Sequence, residues 1–229
     1  LASFDTVKGK PKWEASVKHE TPILESQDLQ DYLEATDIID WQTPEVRLLA
    51  DVLAAGATSD VQKAQRIYHW VRDEIAHSAD AGHETVTCRA SEVLRHRTGL
   101  CYAKAHLLAA LLRAVGIPTG LCYQLLRYDS SSERLVVHGL NGIYLRSLDQ
   151  WIRVDPRGNK PGVNAEFCLE HEQLAFSVNS ALGEFTCETI FVRPLPNVVQ
   201  CLQRHTSMRQ LLADLPDSVS SETGDSCRH

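Results

Sequence analysis

Cys101, His138 and Asp155 are the residues whose types and placement could combine into nucleophilic chemistry. Cys101 follows Thr98-Gly99-Leu100 and opens a leucine-rich run that closes at Gly116-Ile117-Pro118. Gly99 suits a tight entry turn. In the first turn of a helix, unpaired N–H groups and the positive end of the macrodipole favour a thiolate over a thiol. His138 follows Leu135-Val136-Val137, and Asp155 ends Trp151-Ile152-Arg153-Val154 just before Pro156. Adjacent antiparallel strands can bring such positions together. A sulfur could then attack an acyl carbon while imidazole takes the thiol proton and returns it to the leaving group. A carboxylate on the far ring nitrogen would fix the tautomer and support the imidazolium. Singly, each residue has a plainer explanation. Cysteine is usually a small buried hydrophobe, strand histidine a satisfied core or edge residue, and Asp-Pro a turn. The combination is what carries weight.

The elements that must hold these residues can be read from periodicity. Leu107, Leu108, Leu111, Leu112 and Val115 recur at helical spacing, and the pattern predicts a buried helix from Cys101 to Val115, stopped by Gly116 and Pro118. Before it, Thr43-Pro44-Glu45 starts one helix that ends at Gly56, and Ser59-Asp60 starts another with the stripe Val61, Ala64, Ile67, Tyr68, Val71 and Ile75. Residues 76–90 read as a polar connection and 91–96 as a short helical piece. After Pro118 the texture turns to β: 120–126, 134–138, 142–145 and 151–155, with a hairpin loop at 129–133 and a turn at 146–150. Residues 156–170 read as loop, 184–191 as a strand and 197–212 as a late helix. Helices first and consecutive strands second predict an α+β domain in which the nucleophile helix packs on an antiparallel sheet. We divide the chain into an N-terminal arm with short elements (1–42, with Trp13 and Val17 as anchors), a catalytic domain (43–215) and a polar, disordered tail (216–229).

Composition excludes several classes. The chain has 229 residues and a formal net charge of -7, which argues against a nucleic-acid partner. No apolar run approaches the roughly 20 residues needed to span a bilayer, and the first residues lack a signal-peptide layout, so no membrane partner and a cytoplasmic location are expected. Seven cysteines without a CxxC pair fit reduced thiols better than a disulfide framework.

Arg97-Thr98-Gly99-Leu100-Cys101, the leucine-rich helix, Gly116-Ile117-Pro118, a histidine after strand residues, and Trp151-x-x-Val154-Asp155-Pro156 together resemble the transglutaminase-like superfamily over about residues 43–160. The resemblance implies a fold similar to papain-like cysteine proteases. It implies Cys101 as nucleophile, His138 as general base and acid, and Asp155 as the orienting group. It also implies attack on an amide, a thioester, and release to water or an amine. The substrate is then a peptide or protein amide, hydrolysis is favoured over amine transfer, and neither cofactor nor metal is needed. The chain departs from the family pattern at Leu140, where an aromatic is common, at Asn141 and Gly142, and at His77, where many members carry an aromatic. An oxyanion hole would use the Cys101 N–H and a second donor that the sequence does not name, because the glutamine of papain-type enzymes has no counterpart between residues 66 and 100. No calcium-type acidic loop is present in the sequence.

Two other classes compete. His69, His77, His83 and Cys88 fall within 20 residues but match no zinc spacing, with His69 and His77 read as lying on one helix. An inactive domain that only binds a partner is the second, although such a module has no need of the Cys, His and Asp trio.

Overall fold

The computed structural model describes residues 22–129 and 131–219. Residues 1–21 of the expected N-terminal segment, with Trp13 and Val17, lie outside the described residues. The chain starts with β1 (Ile23–Leu24) and a 3-10 turn at Asp31–Leu33 that buries Tyr32. Two amphipathic helices follow, α1 (Pro44–Ala54) and α2 (Asp60–Glu74). Ser59 caps α2 by accepting from the Gln62 N–H. Thr43, expected as the N-cap of α1, instead turns its hydroxyl to the Asp40 carbonyl. The connection expected at 76–90 contains β2 (Ala76–His77) and α3 (Ser78–Ala81), and then come α4 (Ala90–His96) and β3 (Thr98–Gly99). β2 and β3 pair in parallel, so His77 sits opposite Gly99 in the approach to Cys101. His69 and His77 therefore do not share a helix, since Ile75 leaves the helical conformation.

The central element is α5 (Cys101–Ala114), in which every residue from Cys101 to Arg113 is buried. Burial on all sides explains why its sequence is alanine- and leucine-rich rather than amphipathic. Its end is closed by Gly116 in the left-handed region (φ +77°), with the Ile117 N–H reaching back to Leu112. α1, α2 and α4 pack against it on one side, and on the other lies an antiparallel sheet of β4 (Thr119–Arg127), β5 (Leu135–Leu145), β6 (Gln150–Val154) and β7 (Phe185–Thr186), in the order β6-β5-β4-β7. This is the α+β arrangement expected. β8 (Thr189–Ile190) returns to pair with β1.

Three differences from the sequence reading have physical causes. The runs 134–138 and 142–145 form one strand, because Gly139 continues the ladder opposite Tyr123 and the buried Asn141 amide donates to the carbonyls of Ala105 and Gly120. His138 is therefore inside a strand rather than at its end. The late helix is two, α6 (Pro196–Arg204) and α7 (Met208–Ala213), with Ser207 capping the second. Residues 216–219, assigned above to a disordered tail, are packed: the Pro216 carbonyl accepts from Val137 N–H and Val219 is buried. The rest of that tail lies outside the described residues. Among the described residues no helix is long and apolar enough to cross a membrane.

The approach of α5 to the sheet depends on Gly139. A Cβ there would stand 2.9 Å from the Tyr102 ring and 3.2 Å from the Tyr102 Cα, so the backbone of the helix's first turn would have to move. Gly139→Ala is expected to destabilise the protein by about 1–3 kcal/mol, the usual cost of overpacking. Urea unfolding of the variant beside the unaltered protein measures it, and equal midpoints would contradict the contact.

Candidate active site

Three elements deliver the three residues. Leu100 is extended, and Cys101 is the first residue of α5, whose earliest internal bond runs from Lys104 N–H to the Leu100 carbonyl. The Cys101, Tyr102 and Ala103 N–H groups precede that bond and have no helical carbonyl to meet. Cys101 is 8% exposed, His138 5% and Asp155 fully buried. On the neighbouring strand Asn141 pairs with Val154, which sets His138 on β5 within reach of Asp155 just past the end of β6. His138 Nε2 lies 2.7 Å from Asp155 Oδ2. The Cys101 sulfur is near enough to His138 to help raise its pKa. The structure thus brings the three predicted residues together, and Cys101 and His138 line one cavity of about 520 Å³.

The electrostatics follow from burial and pairing. Burial pushes the His138 pKa down, but the neighbouring Asp155 carboxylate and Cys101 sulfur outweigh it and raise the value to about 10. For Asp155 burial favours the neutral acid. The charge and hydrogen bond of His138, with N–H donors from Arg157 and Ala175, win and hold it below the usual carboxylate value. An ionised Asp155 only accepts, so His138 Nε2 donates to it.

Sequence reading missed the shell around this pair. Phe176 stands edge-on to the His138 ring at 5.1 Å, and the Tyr68 hydroxyl donates to the Asp155 carbonyl at 3.1 Å. Ala175 and Phe176 come from the irregular stretch after β6, where no periodicity signals them. Lys104, fully buried on α5, donates to the carbonyls of Arg72 and Ile75 and so satisfies the end of α2. Its burial pushes its pKa down to about 7 against the pull of Asp155. A lysine one turn after the cysteine, in a helix rich in alanine and leucine, was the available signal. His77 lines the same cavity with Nδ1 3.3 Å from Asp80, and burial, helped by Arg157, pushes its pKa down to about 3, so the ring is neutral at pH 7.

The other histidines and cysteines are dispersed. His69 lies near Glu166, His83 bonds Thr98, and burial pushes the Cys88 thiol up to about 12. Among the described residues the group whose metal-type atoms converge is Cys168, Glu170 and His171, within 4.8 Å of one another. Cys88, Cys101, Cys122, Cys168 and Cys201 carry free thiols. Cys187 is disulfide-bonded, which departs from the expected fully reduced set.

Residues 47–156 match the family model described as the transglutaminase-like superfamily. That stretch resembles a transglutaminase-like core. It contains Cys101, His138 and Asp155, and it supports a cysteine-based enzyme in general terms. Comparison with curated proteins gave no match. Among solved structures, the core is similar to a Cytophaga hutchinsonii protein provisionally described as a cysteine protease, at 20% identity and a TM-score of 0.48, covering 58% of this chain and 43% of the other. It is also similar to the periplasmic domain of TgpA from Pseudomonas aeruginosa bound to ethylmercury, at 21% identity and a TM-score of 0.42, covering 56% and 48%. This chain spans less than half the length of either structure.

The His138 and Asp155 shifts give a stability prediction. A histidine with a folded pKa raised to about 10 stabilises the fold fully below its unfolded value of about 6.5, and that contribution is lost as pH rises through about 10. Denaturant unfolding between pH 7 and pH 10 should show stability falling by up to about 1.4 kcal/mol per pH unit more steeply in the unaltered protein than in His138→Gln. Parallel slopes would mean that His138 does not hold its proton as the geometry implies.

Proposed function

We propose that this protein is a cysteine-dependent acyl-transfer enzyme that hydrolyses peptide or other amide bonds through a thioester on Cys101. One observation carries the reading: a buried His138–Asp155 pair at 2.7 Å opens onto the same cavity as a cysteine at the N-terminus of a helix. In the first half-reaction Cys101 Sγ bonds to the acyl carbon and the C–N bond breaks, with the proton held on His138 passing to the departing amine. In the second, water bonds to the same carbon, its proton goes to His138, and the C–S bond breaks to regenerate the sulfur. Asp155 keeps the ring oriented and supports its positive charge in both halves. The free N–H groups at the start of α5 face the place where negative charge develops on the acyl oxygen.

Water is favoured over a lysine amine as acceptor on electrostatic grounds. Arg127, Arg157 and Lys160 line the cavity, against the carboxylates of Asp80 and Glu184. An incoming ammonium meets like charge there, whereas water does not. The division into residues 1–42 and a catalytic domain from residue 43 is part of this proposal, with 216–219 packed on that domain rather than in a tail.

A screen of peptide and amide substrates, run with and without a primary amine, tests the reading. Cys101→Ala should fold normally and lose all amide cleavage. His138→Ala should lower turnover by about 10⁴-fold and Asp155→Asn by about 10²- to 10⁴-fold, as for other residues that act as a unit. Amine incorporation outrunning hydrolysis would make the enzyme a transferase. Turnover surviving in Cys101→Ala would place the nucleophile elsewhere, and binding without turnover in any screen would favour an inactive domain.

A further inference from the structure

The cavity that holds Cys101 and His138 has cations of two kinds. Arg157 and Lys160 both close on Asp80, at 2.8 and 2.6 Å, so their charges are already directed. Arg127, half-buried at the end of β4, has no ion pair among the described residues, and its Nε is buried without a hydrogen-bond partner. Glu184, the nearest carboxylate along the chain's hydrogen bonds, does not pair with it. One Glu184 oxygen accepts the Arg127 backbone N–H at 3.0 Å and the other accepts the Asn179 N–H at 2.8 Å. A guanidinium carries five donors in a planar fork suited to a carboxylate, and leaving a buried donor unmade is costly. The surroundings favour an anion as well. The chain as a whole carries -7, yet apart from Cys101 and His138 the charged groups lining this cavity are three cations and two carboxylates.

What joins this fork to the chemistry is the cavity itself, which Arg127, Cys101 and His138 all line. Gln124 is paired across the sheet with His138, and Arg127 is three residues further along β4, opposite Leu135. Its backbone is therefore roughly 10 Å along the strand from the His138 row, and the odd offset starts its side chain on the other face of β4, at the strand end where the cavity lies. We propose that Arg127 is a specificity-determining residue that binds a carboxylate of the substrate entering the cavity it shares with Cys101. The substrate class is therefore an acidic peptide or a chain with an acidic side branch. This proposal rests on the assignment of Cys101 as nucleophile.

Protection of Cys101 from iodoacetamide, followed by peptide mass spectrometry, tests it whichever way the substrate enters. The probes are acetylated hexapeptide amides with a single glutamate walked along the chain, each beside its glutamine counterpart. At least one glutamate peptide should protect Cys101 at about one-tenth the concentration its glutamine partner needs. Arg127→Gln should erase that difference, and Arg127→Lys, which keeps the charge without the fork, should restore part of it. Equal protection by every glutamate and glutamine pair in the unaltered protein would overturn the carboxylate site while leaving Cys101 as the reactive thiol. A glutamate preference that persists in Arg127→Gln would overturn it too. Alkylation of the other free cysteines with none at Cys101 would defeat the nucleophile assignment, and this proposal with it.

Discussion

A carboxylate with no exposure to water is among the most expensive groups a fold can contain, and Asp155 is one. It stays ionised because three donors converge on its two oxygens: His138 Nε2 from β5, and the N–H groups of Arg157 and Ala175 from the irregular stretch beyond β6. Each donor fixes a separate part of the chain. His138 is locked in one orientation, Pro156 and Arg157 are turned back on the strand end, and the segment carrying Phe176 is drawn over the ring. The same negative charge helps keep a proton on the buried Lys104, which in turn satisfies the last carbonyls of α2. One buried charge thus ties the sheet, the helical layer and the covering loop to a common point. Removing it would leave an unpaired imidazole and orphaned amides, which is why the pair reads as structure and chemistry at once.

The second constraint is closeness. For Cys101 to reach His138, the first turn of α5 must lie almost against β5, and the absence of a side chain at Gly139 makes room for Tyr102. The Tyr102 hydroxyl then donates to the carbonyl of Val137, the residue before His138, so the ring that fills the gap also anchors the strand beside the histidine. Burial of α5 on all sides leaves it no solvent-facing stripe through which to shift, and Asn141 bonds its backbone from the sheet. Cys101 and His138 are therefore held by rigid elements, and the irregular stretch beyond β6 completes the shell around Asp155.

These constraints explain what could be read from the sequence. α5 was legible because its whole turn chemistry is local: Gly99 before it, leucines at helical spacing, Gly116 and Pro118 after it. The order of helices and strands followed from connectivity, which allowed Cys101, His138 and Asp155 to meet, and the resemblance to the transglutaminase-like superfamily implied that they do. What was illegible is long-range. Gly139 looks like a strand breaker until Tyr102 is placed against it, so one strand was read as two. Residues 216–219 look like a polar tail until Pro216 is paired with Val137. Ala175 and Phe176 lie in a stretch without period, and only the carboxylate they surround gives them a role.

The charge distribution follows the same logic. An acidic protein would ordinarily repel an acidic substrate, yet the carboxylates near this cavity are already engaged. Asp155 is bound by three donors, Asp80 by Arg157 and Lys160, and Glu184 by two backbone amides. Arg157 and Lys160 together outweigh the one carboxylate they share, and with Arg127 the lining carries more cations than carboxylates. Among the described residues Arg127 differs from Arg157 and Lys160 in having no such structural partner. A fold that needs its anions to build the site leaves its remaining positive charge to face whatever enters, and that coupling of architecture to selectivity rests on hydrogen bonds that can be named one by one.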